Sequence, residues 1–235
     1  MIPDGVTTVG TRAFGYCTAL KSIVIPDTIT DFNSAAFYES SNIVSATFPC
    51  DIAWCIPKDS LTTAIVTNGD NLPSSAFSGG SLLTSVTLPD SLTSIGDHAF
   101  SSCNNLKAID IPDNVTSIGA SAFMYCGSLD GVVLPKNISI IEDYTFAACK
   151  SLTNIYIPEG VTAIYRNAFY GCDSLTTVYY GGNEESWNAI NFTDGNETIQ
   201  NANILYNETL SVENGSLLQY AMNKNITVVR TKETI

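Results

Sequence analysis

The chain has 235 residues, 45% of them hydrophobic and only 14% charged, which supplies a large core and excludes a disordered polyelectrolyte. Ten Lys plus Arg against 23 Asp plus Glu leave a net charge of −13, so phosphate backbones and anionic lipid heads are repelled, and nucleic acid and membrane surfaces are poor candidates as partners. No apolar run reaches the roughly 20 residues that span a bilayer, and no basic-then-apolar leader opens the chain, so no membrane insertion is expected of this stretch.

In chain order, Met1-Ile2-Pro3 enters a pattern partway through, because Pro3, Pro26 and Pro49 are 23 residues apart. The chain is therefore expected to be an excised portion of a longer one. Phe14, Cys17 and Leu20 mark a first coil, and Phe37 with Ile43 a second. Leu61, Ala64 and Val66 then mark a coil 18 residues after Ile43, and Leu83 follows after 22 more. The 18-residue coil lacks the phenylalanine, so Trp54 is expected to fill the missing volume and the path to bend. Cys50 and Cys55 lie here, away from the other cysteines; free thiols are the expected state and a local disulfide the alternative.

From Leu83 to Tyr180 the period is strict. Phe77, Phe100, Phe123, Phe146 and Phe169 are 23 residues apart, and Cys103, Cys126, Cys149 and Cys172 keep the same step, as do columns of leucine and proline. Columns in phase mean a repeat array. Within one unit, Leu106, Ile109 and Ile111 before Pro112 describe a short strand with one face buried. Val115 to Gly119 is a second extended piece. Ala122-Phe123 and Cys126 have the spacing of one helical turn that faces both side chains inward. A single coil of this kind cannot cover its own apolar side and is stabilised by stacking on its neighbours.

Beyond Tyr180 the period loosens. Glu184 to Ile190 predicts a short helix capped by Asn183, and Ile199, Ala202 and Ile204 repeat the strand pattern 24 residues after Leu175. The expected organisation is an array over 1–209, irregular at 43–82, closed by a capping unit at 210–235. That unit is a helix (216–223) and a strand (226–229) shielding the end of the apolar columns.

The motif Ile95-Gly96-Asp97-His98-Ala99-Phe100, with Cys103, Leu106, Ile109 and Ile111-Pro112, resembles the leucine-rich repeats of bacterial BspA-like surface proteins, over roughly residues 1–180. Tyr179-Tyr180-Gly181-Gly182 and Gly215-Ser216 also resemble that family's ending. Ser40 and Gly80 depart from it where cysteine is expected. The resemblance implies an α/β, right-handed leucine-rich-repeat solenoid with a parallel concave sheet, short convex strands and helical turns. It also implies a secreted or cell-surface location and a role in adhesion or protein binding.

Catalytic chemistry is poorly provided for. His98 is the only histidine, so paired-histidine zinc sites are out of reach, and no nucleophile-elbow motif accompanies it. The in-phase cysteines read as buried packing groups with a weak donor rather than a metal cage. Asp4, Asp27, Asp90 and Asp113 follow the repeat proline as turn residues, and seven Asn-x-Ser/Thr sequons reflect a chain rich in Asn and Thr. No cofactor and no metal are expected.

The outward side of the strand ladder is the remaining surface, and in solenoids it is the usual binding face. Its positions two and four after each leucine are mostly small. Toward the C-terminal end they become aromatic and amide-bearing, and the candidate binding residues are Asp110, Asn154, Tyr156, Thr177, Tyr179, Asn201 and Asn203. The expected function is a non-enzymatic module that binds an extracellular or host protein through this face. The alternatives are a carbohydrate surface around Tyr156 and Tyr179, or a structural spacer for another domain.

Overall fold

A computed structural model describes residues 1–207; the predicted unit at 210–235 lies outside the described residues. The longer strands stack in parallel into two four-stranded sheets. Ser22–Val24, Ser45–Phe48, Thr63–Val66 and Ser85–Thr87 form the first, and Gly131–Val133, Asn154–Ile157, Thr177–Tyr180 and Asn203–Leu205 the second. Two-residue strands on another side of the coils pair in the same parallel sense within three separate groups, as Asn71–Leu72 does with Ser94–Ile95. Register gives the repeat directly. Asn154 lies opposite Thr177, a step of 23, whereas Ser45 opposite Thr63 and Thr63 opposite Ser85 give steps of 18 and 22. The short coils are where the leucine pattern places them.

Each coil closes through a tight turn that is also a ladder. Between residues 119 and 126, the amides of Ala122, Met124 and Cys126 donate three residues back, to Gly119, Ser121 and Phe123. The intervening amides of Ser121, Phe123 and Tyr125 donate to Asp143, Thr145 and Ala147 of the next coil, each at 2.8 Å. The single inward turn is thus built from three-residue bonds, tighter than an α-turn. Ser121 and Tyr125 sit at φ 56° and 62°, and the equivalent residues His98, Ser102, Tyr144 and Ala148 also adopt this left-handed backbone. The Gly of the Ile-Gly motif has a steric cause: a Cβ on Gly96 would lie 2.5 Å from the amide nitrogen of Ser74 and 2.9 Å from the carbonyl of Leu72.

Inside, the phenylalanines pile up in register. Centroids of Phe100 and Phe123 are 5.2 Å apart with planes 3° from parallel, and those of Phe123 and Phe146 are 5.4 Å apart at 1°. Phe77, Phe100, Phe123, Phe146 and Phe169 are all fully buried. Beside them, each cysteine reaches back one coil: the thiols of Cys103, Cys126 and Cys149 donate to the carbonyls of Phe77, Phe100 and Phe123 at 3.2 Å, and Cys172 donates to Phe146 at 3.0 Å. Ser40 performs the same task in the cysteine position. Its buried hydroxyl donates to Phe14 O at 2.5 Å and accepts from the Cys17 amide at 2.8 Å. The departure from cysteine is therefore conservative. Cys126→Ser should cost less than Cys126→Ala, which leaves the Phe100 carbonyl with the Cys103 amide as its one donor and should cost about 0.5–1.5 kcal/mol for the lost hydrogen bond; urea unfolding of the two variants checks the order.

Threonine hydroxyls tie the coils together on the outside. Thr93 donates to Asp70 O and Thr84 to Thr62 O, at 2.9 and 3.0 Å, and Thr116, Thr153, Thr162 and Thr176 repeat the contact. Each hydroxyl is a second donor to a carbonyl that already accepts the same threonine's backbone amide, as Asp70 O does from the Thr93 amide at 2.7 Å.

The 18-residue coil corrects one expectation. Trp54 does not fill the missing phenylalanine's volume: it is 48% exposed, with its indole N–H donating to Asp51 O at 2.9 Å. Phe48 fills it instead, fully buried and 6.1 Å from the Phe77 ring. A short 3-10 helix, Cys50–Cys55, replaces the second extended piece and buries Cys50, Ile52 and Ala53. All seven cysteines are free thiols, Cys50 and Cys55 included.

At the other end, α1 (Glu184–Asn188) is capped as its sequence suggests, the Asn183 side chain accepting from the Ser186 amide at 2.8 Å. Trp187 packs edge-on against Tyr180 at 5.1 Å. A second helical turn, α2 (Glu197–Gln200), holds Ile199 in the core.

Candidate binding face

The outward side chains of the longer strands form two rows. In the first sheet Ser22, Ser45, Thr63 and Ser85 make one row, and Val24, Thr47, Ile65 and Thr87 the next. No charge interrupts them, and Val24 and Ile65 are 36% and 42% exposed. Alternation places their neighbours Ile23, Ala46, Ala64 and Val86 in the core.

In the second sheet the row begins at Gly131 and continues through Asn154, Thr177 and Asn203, and the next row runs Val133, Tyr156, Tyr179 and Leu205. The structure therefore brings together Asn154, Thr177 and Asn203, and beside them Tyr156 and Tyr179. Three predicted positions need correction. Asn203 stands opposite Thr177, two places from its expected register, because α2 occupies the chain that precedes it. Asn201 is the C-cap of α2 and not part of the face. Tyr156 is buried, 8% exposed, with its ring end against Gly181, where an added Cβ would lie 2.8 Å from the phenolic oxygen. Tyr179, half-buried, is the ring of this pair that reaches solvent.

Asn154 donates to Thr153 Oγ1 at 2.9 Å, and its own Oδ1 is buried without a partner. Asp110 stands apart from the other candidates. It is exposed on a coil that joins neither sheet, and its carboxyl is pushed above the ordinary range by burial of its surroundings and then by Asp113 and Asp90.

His98 is exposed at a left-handed turn position. Among the described residues no group of three or more His, Cys, Asp or Glu is placed to hold a metal ion, and no helix is long and apolar enough to cross a membrane. The column thiols are held as thiols: burial pushes Cys103 up to about 12 and Cys126 well above its ordinary value. Off the column, Cys50 and Cys55 are pushed up to about 12 and about 11, again chiefly by burial. Exposed Cys17 is accordingly expected to be the one fast-reacting thiol of the seven toward a disulfide reagent at pH 8. Release of several equivalents before unfolding would contradict the packing.

The model of the BspA type leucine rich repeat region matches six copies over residues 1–58 and 70–200. Among solved structures, a leucine-rich-repeat protein of T. pallidum is similar at 27% identity and TM-score 0.53, covering 68% of this chain and 73% of its own. A leucine-rich-repeat protein of Bacteroides ovatus is 21% identical over 87% of this chain and 76% of its own, with TM-score 0.48. A leucine rich cell surface protein of Faecalibacterium prausnitzii is 23% identical over 81% and 87%, with TM-score 0.34. Comparison with curated proteins finds no match.

Proposed function

The chain belongs to the BspA-type leucine-rich-repeat family, whose members are non-catalytic solenoids, and from that premise we propose that it is an extracellular adhesion module that binds another protein through the outward face of its longer strands. The observation that carries this reading is the uncharged double row from Ser22 to Thr87 on a chain whose net charge is −13. Burying such a surface desolvates no ion, and β-branched side chains lose little rotamer freedom when covered. Tyr179 extends the face with an aromatic side chain of the kind interface cores favour, and Thr177 and Asn203 lie beside it as hydrogen-bonding groups. The surrounding acidity repels anionic surfaces and leaves a neutral or basic protein as the fitting partner.

The carbohydrate reading loses one of its two rings to the burial of Tyr156, which leaves Tyr179 as the single stacking surface there. A pure spacer would bind nothing through this face. The test is binding of the isolated chain to a panel of immobilised extracellular-matrix proteins. Thr87→Arg and Tyr179→Ala are each expected to weaken binding about tenfold or more, whereas Tyr170→Ala on the turn edge leaves it unchanged. Binding insensitive to both face variants would refute the assignment.

A further inference from the structure

We infer that the coil from Leu106 to Ile111 is a hinge seam that divides the solenoid into two stiff blocks and lets its strand face open and close. The ladder of longer strands stops at Ser85–Thr87 and resumes at Gly131–Val133. Between them, the amides and carbonyls of Ala108, Ile109, Asp110 and Ile111 make no backbone hydrogen bond, although Ile109 and Ile111 are buried at 3% and 6% exposure. The nearest tie is the Asp130 amide, which donates to Lys107 O at 3.1 Å.

The tight-turn ladder is not interrupted here, whereas the short-strand ladder breaks one coil later, between Ser117–Ile118 and Ile140–Ile141. His98, Phe100 and Ser102 donate to Ala120, Ala122 and Met124 at 2.7–2.9 Å, and Ser121, Phe123 and Tyr125 continue the ladder into the next coil. The phenylalanine stack also runs straight through, with its most parallel pairs at this level. A ladder closed along one side and open along the other bends about the closed side. The seam is therefore placed to vary the spacing of the face and not the integrity of the core.

Local chemistry explains the location. At the position where other coils carry Val, Ile, Thr or Tyr, this coil has Asp110; two residues earlier it has Ala108, and the next coil begins with Gly131, all poor strand formers in adjoining coils. Asp113 and Asp90 place like charge near Asp110, whose carboxyl is pushed up first by burial and then by these two neighbours. Closing the ladder here would press Asp110 into a row that elsewhere holds no acid.

The inference is independent of which partner the face binds and is tested on the whole chain by hydrogen exchange. The amides of Ile109 and Ile111 are expected to exchange on the order of 100-fold faster than those of Ile155 and Ile157, which are equally apolar, also buried, and laddered. Comparable protection would overturn the seam. A double variant, Ala108→Thr with Asp110→Thr, should slow exchange at 109 and 111 by about tenfold or more and leave 155 and 157 unchanged; no slowing would overturn the local cause. Spin labels on keto amino acids at positions 47 and 179 read the bending itself. Their distance distribution should narrow in the double variant, and equal widths would reject a hinge in favour of a merely frayed coil.

Discussion

Phe123→Ala is expected to lower the unfolding free energy by about 3–5 kcal/mol, a large part of the 5–15 kcal/mol of a typical domain. The ring is fully buried and lies between Phe100 and Phe146 at 5.2 and 5.4 Å, so its removal opens a cavity bounded above and below by rigid neighbours. Such a site collapses poorly, because each neighbour is itself fixed in a stack and each backbone amide in a ladder. Trp54→Ala makes the informative contrast. A larger side chain is removed, yet it is half-exposed and outside the column, so the change should stay within about 0.5–1 kcal/mol. Urea denaturation of both variants measures the pair, and a Trp54 effect as large as that of Phe123 would show that size rather than stacking governs.

Alkaline pH is expected to unfold the protein steeply. Cys103 is pushed up to about 12 and Cys126 well above 9.0 by burial, and Cys149 is raised well above 9.0 by its contact with Cys172 and then by burial. In the unfolded chain these thiols ionise near their ordinary value. With the folded pKa above the unfolded one, the stabilisation is complete below about pH 9 and is lost as pH climbs toward the folded values. One thiol that ionises only in the unfolded state contributes a slope of about 1.4 kcal/mol per pH unit, so three contribute roughly 4 kcal/mol per pH unit. Urea midpoints at pH 8, 10 and 11 should fall accordingly. Tyrosine and lysine ionisation also act in this range, and Cys126→Ser isolates the thiol part by reducing the slope. A slope unaltered by that change would mean the column is solvated.

Most of the coil path was legible in the sequence because apolar columns in phase admit one stacking. Even the 18-residue coil follows from Leu61, Ala64 and Val66, and its register, Ser45 opposite Thr63, agrees. What was not legible arose where a local event outweighed the pattern. Trp54 was the large aromatic at hand, but Phe48, five places after Ile43, already pointed inward and took the space. The helical turn before Asn203 displaced the strand by two residues, which moved Asn203 beside Thr177 and left Asn201 at a helix end. Alternation placed Tyr156 on the outward face, but could not reveal that the approach of Gly181 would cover it. The seam was written in Ala108, Asp110 and Gly131, weak strand formers whose meaning emerges only when coils are set side by side.

The same divide separates scaffold from site. The interior repeats and so can be read from one coil to the next. The proposed binding face is made of the residues that vary, and a single chain offers no second copy against which to weigh them.

A double-mutant cycle on Phe100 and Phe123 tests the shared interior most directly. Adjacent rings in one stack should couple by about 0.5–3 kcal/mol when both are cut to alanine, whereas Phe77 and Phe169, four coils apart, should be additive within about 0.5 kcal/mol. Additivity for the adjacent pair, equal to that of the distant one, would contradict the account of coils held together by a common column.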